Sequence, residues 1–426
     1  MSTSSLVADA GHRCILSADI VWRTRVRVSL RSLTILYVTY ANLSGCKARP
    51  LPLKGHLELT RTICIFLSGI FILVPPLCAQ LPVAKVVESA NRFLALLTDG
   101  QRQKVMFAFD DEQQRARWSN FPTGMVPRAG INFREMTEPQ RAAVLDLLGT
   151  VLSPMGLEKV NQIRMADDDF KVNGSRNGPG GRGRPGGNAG PPPGQNGPPG
   201  GKRGPGGGGG DLFGSDLYYI SFLGKPSASA PWMLQFGGHH LALNITISGS
   251  NGVMTPSLTG AQPATFTANG KNVRPLGRES DKALALLRSL DDTQRKQAIL
   301  TYRVPDLVLG PGQDGKKISP EGLKVSQMNE RQRAMLLDVV AEWVDIMNTG
   351  SAAERLAQIK AELNETWFAW SGETDFRAGE NITAYYRIQG PHLVIEYAPQ
   401  NGDPTNHVHT IYRDPTNDYG RALAKR

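Results

Sequence analysis

Beyond Cys78 the chain has no cysteine: all four, Cys14, Cys46, Cys64 and Cys78, fall within its first 78 residues. The rest of the chain therefore holds no disulfide, no thiolate nucleophile and no Cys-ligated metal, and it suits an oxidising compartment. A phosphate-cradling loop is missing too. The polyglycine at Gly206–Gly210 has no Gly-Lys-Ser/Thr ending and opens no helix. No GxSxG elbow occurs. Nucleotide chemistry and α/β-hydrolase chemistry lose their usual signatures. Histidine is absent from Gln80 to Gly238, which makes the later histidines conspicuous.

A basic folded surface is also lacking, despite a net charge of +10. Residues 1–79 carry nine Lys/Arg against three Asp/Glu, a balance of +6. Arg176, Arg182, Arg184, Lys202 and Arg203 add +5 in the Gly/Pro-rich stretch 173–210, leaving the remainder at −1. A nucleic-acid interface would need those charges clustered on the folded body, so no nucleic-acid partner is expected.

What is present begins with a leader. The longest apolar run, Ile63–Val74, spans 12 residues, short of the roughly 20 a membrane-crossing helix needs. Lys54 and Arg61 precede it, and Pro75-Pro76-Leu77-Cys78-Ala79 follows. A basic flank, a short apolar core and a small residue form a secretory signal, with an uncleaved anchor as the alternative. The sequence thus predicts a 1–79 leader, a periplasmic or secreted protein, and no membrane span in the mature chain. Residues 1–52 show no clear periodicity, and the true start is expected downstream of Met1.

Residues 173–210 contain 18 Gly and eight Pro, a composition that cannot bury apolar surface. This reads as a disordered insertion within one repeating pattern. Leu97-Thr98-Asp99-Gly100-Gln101-Arg102 returns as Leu290-Asp291-Asp292-Thr293-Gln294-Arg295. Met136-Thr137-Glu138-Pro139-Gln140-Arg141 returns, at the same spacing to within one residue, as Met328-Asn329-Glu330-Arg331-Gln332-Arg333. Leu217–Gly224 resembles Ala384–Gly390. Such ordered self-similarity implies duplication. Thr137 and Asn329, each with Gln three residues on, are capping boxes. Apolar stripes at Val144, Leu147, Leu148, Val151 and at Leu336, Val339, Val340, Trp343 mark core-facing helices. The β-branched and aromatic runs near 218–223, 232–247, 367–370, 382–388 and 393–397 mark strands, with turns at Pro391-His392 and Asn251-Gly252. The expected fold is α+β and internally duplicated, two helix-helix-then-antiparallel-strand halves with pseudo-twofold packing. Helical parts fall at 80–172 and 276–362, strand parts at 211–275 and 363–426.

Each strand part carries a histidine doublet, Gly237-Gly238-His239-His240 and Asn406-His407-Val408-His409. Residues two apart on a strand share a face, so His407 and His409 can converge. His239 and His240 need a bend at Gly237-Gly238. Three or four neutral imidazoles, with Glu396 as a further ligand or base, suit Zn²⁺ or Cu²⁺. Arg413 could take an anionic substrate group in a bidentate fork, or pair with Asp414 or Asp418 to pin the tail. The competing use of the histidines is structural, as strand-end residues bonded to backbone.

Gly238-His239-His240-Leu241-Ala242-Leu243-Asn244, Tyr385-Tyr386-Arg387-Ile388-Gln389-Gly390-Pro391 and Asn406-His407-Val408-His409-Thr410-Ile411-Tyr412-Arg413-Asp414-Pro415 resemble a microbial family known as domain of unknown function 3500. The likeness runs from about Ser89 to Gly420 and implies no activity. From the residues themselves, the expected function is a metal-dependent enzyme, a hydrolase ahead of a copper oxidoreductase, acting on a small-molecule or polymer substrate. The alternative is a non-catalytic extracytoplasmic protein that binds metal or ligand.

Overall fold

The computed structural model of the protein describes residues 22–28, 35–41, 81–174 and 212–424. The predicted signal segment at 63–74 and most of the Gly/Pro-rich stretch lie outside the described residues; Asn173 and Gly174 close a π-turn that extends the preceding helix. Two units divide the chain. In the first, Met1–Pro75, β1 (Trp22–Val28) pairs antiparallel with β2 (Ile35–Ala41), where the sequence pattern indicates no element.

The second unit, Pro76–Arg426, is α+β. Its strands are β3 (Met106–Phe107), β4 (Ile131–Asn132), β5 (Tyr219–Leu223), β6 (Trp232–Gly238), β7 (Leu241–Ser248), β8 (Asn251–Val253), β9 (Ser257–Ala261), β10 (Phe266–Ala268), β11 (Lys271–Val273), β12 (Leu323–Lys324), β13 (Trp367–Ser371), β14 (Tyr385–Gly390), β15 (Leu393–Pro399) and β16 (Val408–Arg413). Twelve of them form one sheet in the order β12-β13-β14-β15-β16-β9-β7-β6-β5-β3, with β4 on β5 and β8 on β7. Asn251-Gly252 lies in β8 rather than in a turn; the chain reverses just before it, where Gly249 takes φ 57°.

Eight helices supply the other layer: α1 (Val83–Ala95), α2 (Asp99–Val105), α3 (Glu138–Val151), α4 (Pro154–Asp169), α5 (Gly277–Ser289), α6 (Asp292–Ala298), α7 (Glu330–Val344) and α8 (Thr349–Ala361). The capping boxes read from sequence are formed at Thr137/Gln140 and Asn329/Gln332. Strand alternation sends Leu234, Phe236, Leu243 and Ile245 to the helix side, in one core with Phe93, Val144 and Leu148. Ile388, Ile395, Val408 and Tyr412 join Leu287, Leu336, Val340 and Trp343 in a second. Alternate residues face the opposite way and lie beneath loops, where Ala242, Leu258 and Ile411 pack with Trp118 and Tyr419. This loop-covered face also carries Gln235, Asn244, Glu396, His409 and Arg413, all buried.

Corresponding contacts recur in the two halves. Gln140 Nε2 donates to the Leu96 carbonyl at 2.9 Å and Gln332 Nε2 to that of Ser289 at 2.8 Å. Arg141 and Arg333 donate to the Met136 and Met328 carbonyls. The ends of α3 and α7 meet, Ser153 N donating to Ile346 O and Asn348 N to Val151 O. The sheet also revises the pairing of motifs. β5 is flanked by antiparallel β4 and parallel β3; β13 is flanked by antiparallel β12 and a parallel bridge from Ile299. By its strand neighbours Tyr219–Leu223 stands as Trp367–Ser371 does, and Tyr385–Gly390 does not. The β6–β7 hairpin adjoins β5 as β14–β15 adjoins β13, with Gly238-His239-His240-Leu241 at the end of the first and Gly390-Pro391-His392-Leu393 at the end of the second. The two histidine doublets take different places in the sheet, one at a hairpin end and the other at the approach to β16.

Candidate metal centre

His240 occupies the two-residue turn between β6 and β7, where Gly238 pairs with Leu241. Its φ is 59°, a left-handed conformation that histidine adopts more readily than most residues but that still costs on the order of 1 kcal/mol. Gly237 and Gly238 allow the hairpin end to close: a Cβ on Gly237 would sit 2.3 Å from the Leu241 carbonyl, and one on Gly238 2.9 Å from that of Leu217. Tyr218 Oη donates to the His239 carbonyl at 2.8 Å and steadies the turn.

His409 faces the loop-covered side of β16, opposite Gly260 of β9. His407 precedes that strand and is half-buried. Gly260 leaves room for the turn histidine, since a Cβ there would lie 3.2 Å from His240 Cδ2 and 2.8 Å from the Val408 carbonyl. The ring nitrogens of His240, His407 and His409 come together within 4.8 Å of one another. His407 Nε2 is 2.8 Å from His240 Nε2 and 3.0 Å from His409 Nε2.

Hydrogen bonding alone does not account for this convergence. An imidazole nitrogen offers one in-plane site, either a proton or a lone pair. His407 Nε2 can therefore make one well-aligned hydrogen bond to one of its two close neighbours, and the other contact is left at best bent and shared. Three lone pairs aimed at one cation remove the conflict. Nitrogens at about 2.0–2.1 Å from a tetrahedral Zn²⁺ stand roughly 3.3 Å apart, so the two contacts of His407 would open slightly while the wider separation, up to 4.8 Å, would close. Burial first, then the neighbouring imidazoles, hold His240 well below its ordinary pKa and bring His407 down to about 2. Burial lowers His409 as well, while Asp306 pulls it partly back. The rings are thus neutral, the form in which imidazole ligates metal.

Around the three rings lies a shell that sequence spacing did not disclose. Asp306 Oδ1 is 3.6 Å from His409 Nδ1 and is itself held by Gln400 at 2.8 Å. A carboxylate behind a ligating histidine is a common orienting device. Asn120 Nδ2 sits 3.3 Å from His409 Nδ1. Its loop is clamped by Arg128, which donates to the carbonyls of Ser119, Phe121 and Gly238 at 2.7, 2.7 and 3.0 Å. One guanidinium thereby ties the Asn120 loop to the hairpin that presents His240. Burial pushes Arg128 down to about 10.

The remaining sequence candidates are placed differently. His239 stacks on His240, ring centroids 3.6 Å apart, while its Nδ1 lies 2.6 Å from Asp167 Oδ1; both side chains are buried. It borders the three converging rings without joining them. Glu396 faces Ile411 rather than His409 across the β15–β16 ladder. Its carboxylate accepts from Val308 N, Leu309 N and Tyr385 Oη at 2.9, 2.8 and 2.6 Å, and burial raises its pKa. It fastens the 304–310 loop to the sheet. Arg413 takes the second of its two anticipated uses. It pairs with Asp418 at 2.7 Å and Asp314 at 2.9 Å, and donates to the Leu309 and Gly310 carbonyls. Among the described residues no helix is long and apolar enough to cross a membrane.

Comparison with known proteins gives a family and no activity. No curated protein and no solved structure matches the chain. The model of a family described as a protein of unknown function, DUF3500, matches residues 79–421 and so takes in the whole sheet, the helical layer and the three histidines. The chain belongs to the DUF3500 family.

Proposed function

We propose that this protein is an exported, metal-dependent enzyme in which His240, His407 and His409 hold Zn²⁺ or Cu²⁺ and leave one position for water or substrate. The observation that carries this reading is the meeting of three neutral ring nitrogens, two of them on buried side chains, that cannot all satisfy one another. Three protein ligands with an open fourth position is the pattern of catalytic rather than structural zinc, and half-buried His407 marks the side from which the position would be reached. A divalent cation there would supply Lewis acidity and make water acidic near neutral pH. Asp306 would orient His409, and Asn120 and Arg128 would fix the loop above it. Hydrolysis is favoured over copper redox chemistry because neither Cys nor Met stands in the two histidine motifs. Export is supported by the signal-like segment and the thiol-free chain after Cys78. The recurring contacts of the two halves support an internal duplication in which the metal centre was built at one hairpin only.

A second reading, metal binding without catalysis, is favoured by one feature. A cavity of about 460 Å³ beside the sheet is lined by Arg413 and its neighbours and by none of the histidines. Elemental analysis of the untagged protein beside the His407→Ala/His409→Ala variant tests the metal itself. Stoichiometric zinc or copper, lost in a variant of unchanged circular dichroism, is expected. Absence of metal, with no uptake on addition, would overturn both readings.

A further inference from the structure

That cavity has a chemistry of its own. It lies under the 309–320 loop, against the β14–β15 end of the sheet. Arg413, one of its walls, is neutralised by Asp314 and Asp418. Two further cations are not. Among the described residues the Lys316 ammonium reaches the Val308 carbonyl alone, at 3.3 Å, and Lys317 makes no ion pair. Both are exposed at the rim. Deeper in stands Gln389, only 8% exposed. Its Nε2 donates to the Ile318 carbonyl at 2.8 Å, which fixes the amide's orientation, because the flipped form would set oxygen against oxygen. The remaining atom, Oε1, is buried and lacks a donor. A buried acceptor left unpaired is costly, so a ligand that brings a donor is favoured here.

We propose that this cavity binds a small hydroxylated carboxylic acid of sugar-acid size. Lys316 and Lys317 would take its carboxylate and Gln389 Oε1 would accept from a hydroxyl. The volume falls within the range of small-molecule sites. Arg413 and His409 share a face of β16 four residues apart, about 13 Å along a strand, so the site is distinct from the histidine centre and independent of any metal there.

Isothermal titration of the untagged protein with D-glucuronate, D-gluconate, D-glucose and acetate tests this directly. A sugar acid should bind at least tenfold more tightly than glucose, which lacks the carboxylate, and than acetate, which lacks the hydroxyls. Lys316→Ala/Lys317→Ala, on exposed side chains, should weaken that binding at least tenfold without moving the melting temperature. Gln389→Leu should weaken it similarly, and His407→Ala/His409→Ala should leave it unchanged. No heat from either sugar acid, equal affinity for glucose, acetate binding as tightly as the sugar acids, or indifference to the double lysine variant would each overturn the proposal.

Discussion

The two ends of the sheet's paired hairpins, Gly238–Leu241 and Gly390–Leu393, occupy corresponding places and each carries a histidine at its third position. Their surroundings differ. At the first, His240 stands in a left-handed turn, is buried, and meets two more imidazoles. At the second, Pro391 replaces the first histidine, and His392 Nδ1 lies 2.6 Å from Thr416 Oγ1, with Glu362 and Asp414 nearby. The first turn ends beside Gly260, which leaves space for an imidazole, and beside the approach to β16, which brings two others. The difference teaches that this fold position does not make a ligand. Its neighbours do.

Breaking the first end should have the largest effect. His240→Ala should lower metal affinity by more than about 100-fold, exceeding the 10–100-fold typical of groups behind the ligands, as read by competition with a chromophoric chelator. Asp306→Ala, which leaves all three rings in place, should cost about 10–100-fold in the same assay; an unchanged affinity would remove Asp306 from the account. Gly260→Ala forces a methyl toward His240 and the Val408 carbonyl. It should cost about 1–3 kcal/mol of stability in urea denaturation and weaken metal binding alongside. The smallest effect belongs to the second end. His392→Ala should retain full metal content and lose less than about 1 kcal/mol, because its polar contacts are partly exposed. Metal loss in that variant would dissolve the contrast between the hairpins.

Local signals were legible in the sequence. Thr137 with Gln140 and Asn329 with Gln332 announce helix starts because a capping box is complete within four residues. The strands were legible from β-branched and aromatic runs, and the histidines from their scarcity. What depends on distant chain was not. Asp167 lies 72 residues from its partner His239, and Asn120 lies 289 from His409. No spacing rule joins them. Glu396 was named as a further ligand or base, yet the 304–310 loop folds over and uses its carboxylate. The two doublets looked equivalent as strings, whereas strand order makes the turn of one equivalent to a Pro-His turn.

The most direct test of the central claim is X-ray absorption at the edge of whichever metal the untagged protein retains. The account predicts about three imidazole nitrogens near 2.0 Å with one further light atom, reduced in His240→Ala and unaltered in His392→Ala. A first shell without imidazole scattering, or one indifferent to His240→Ala, would contradict it.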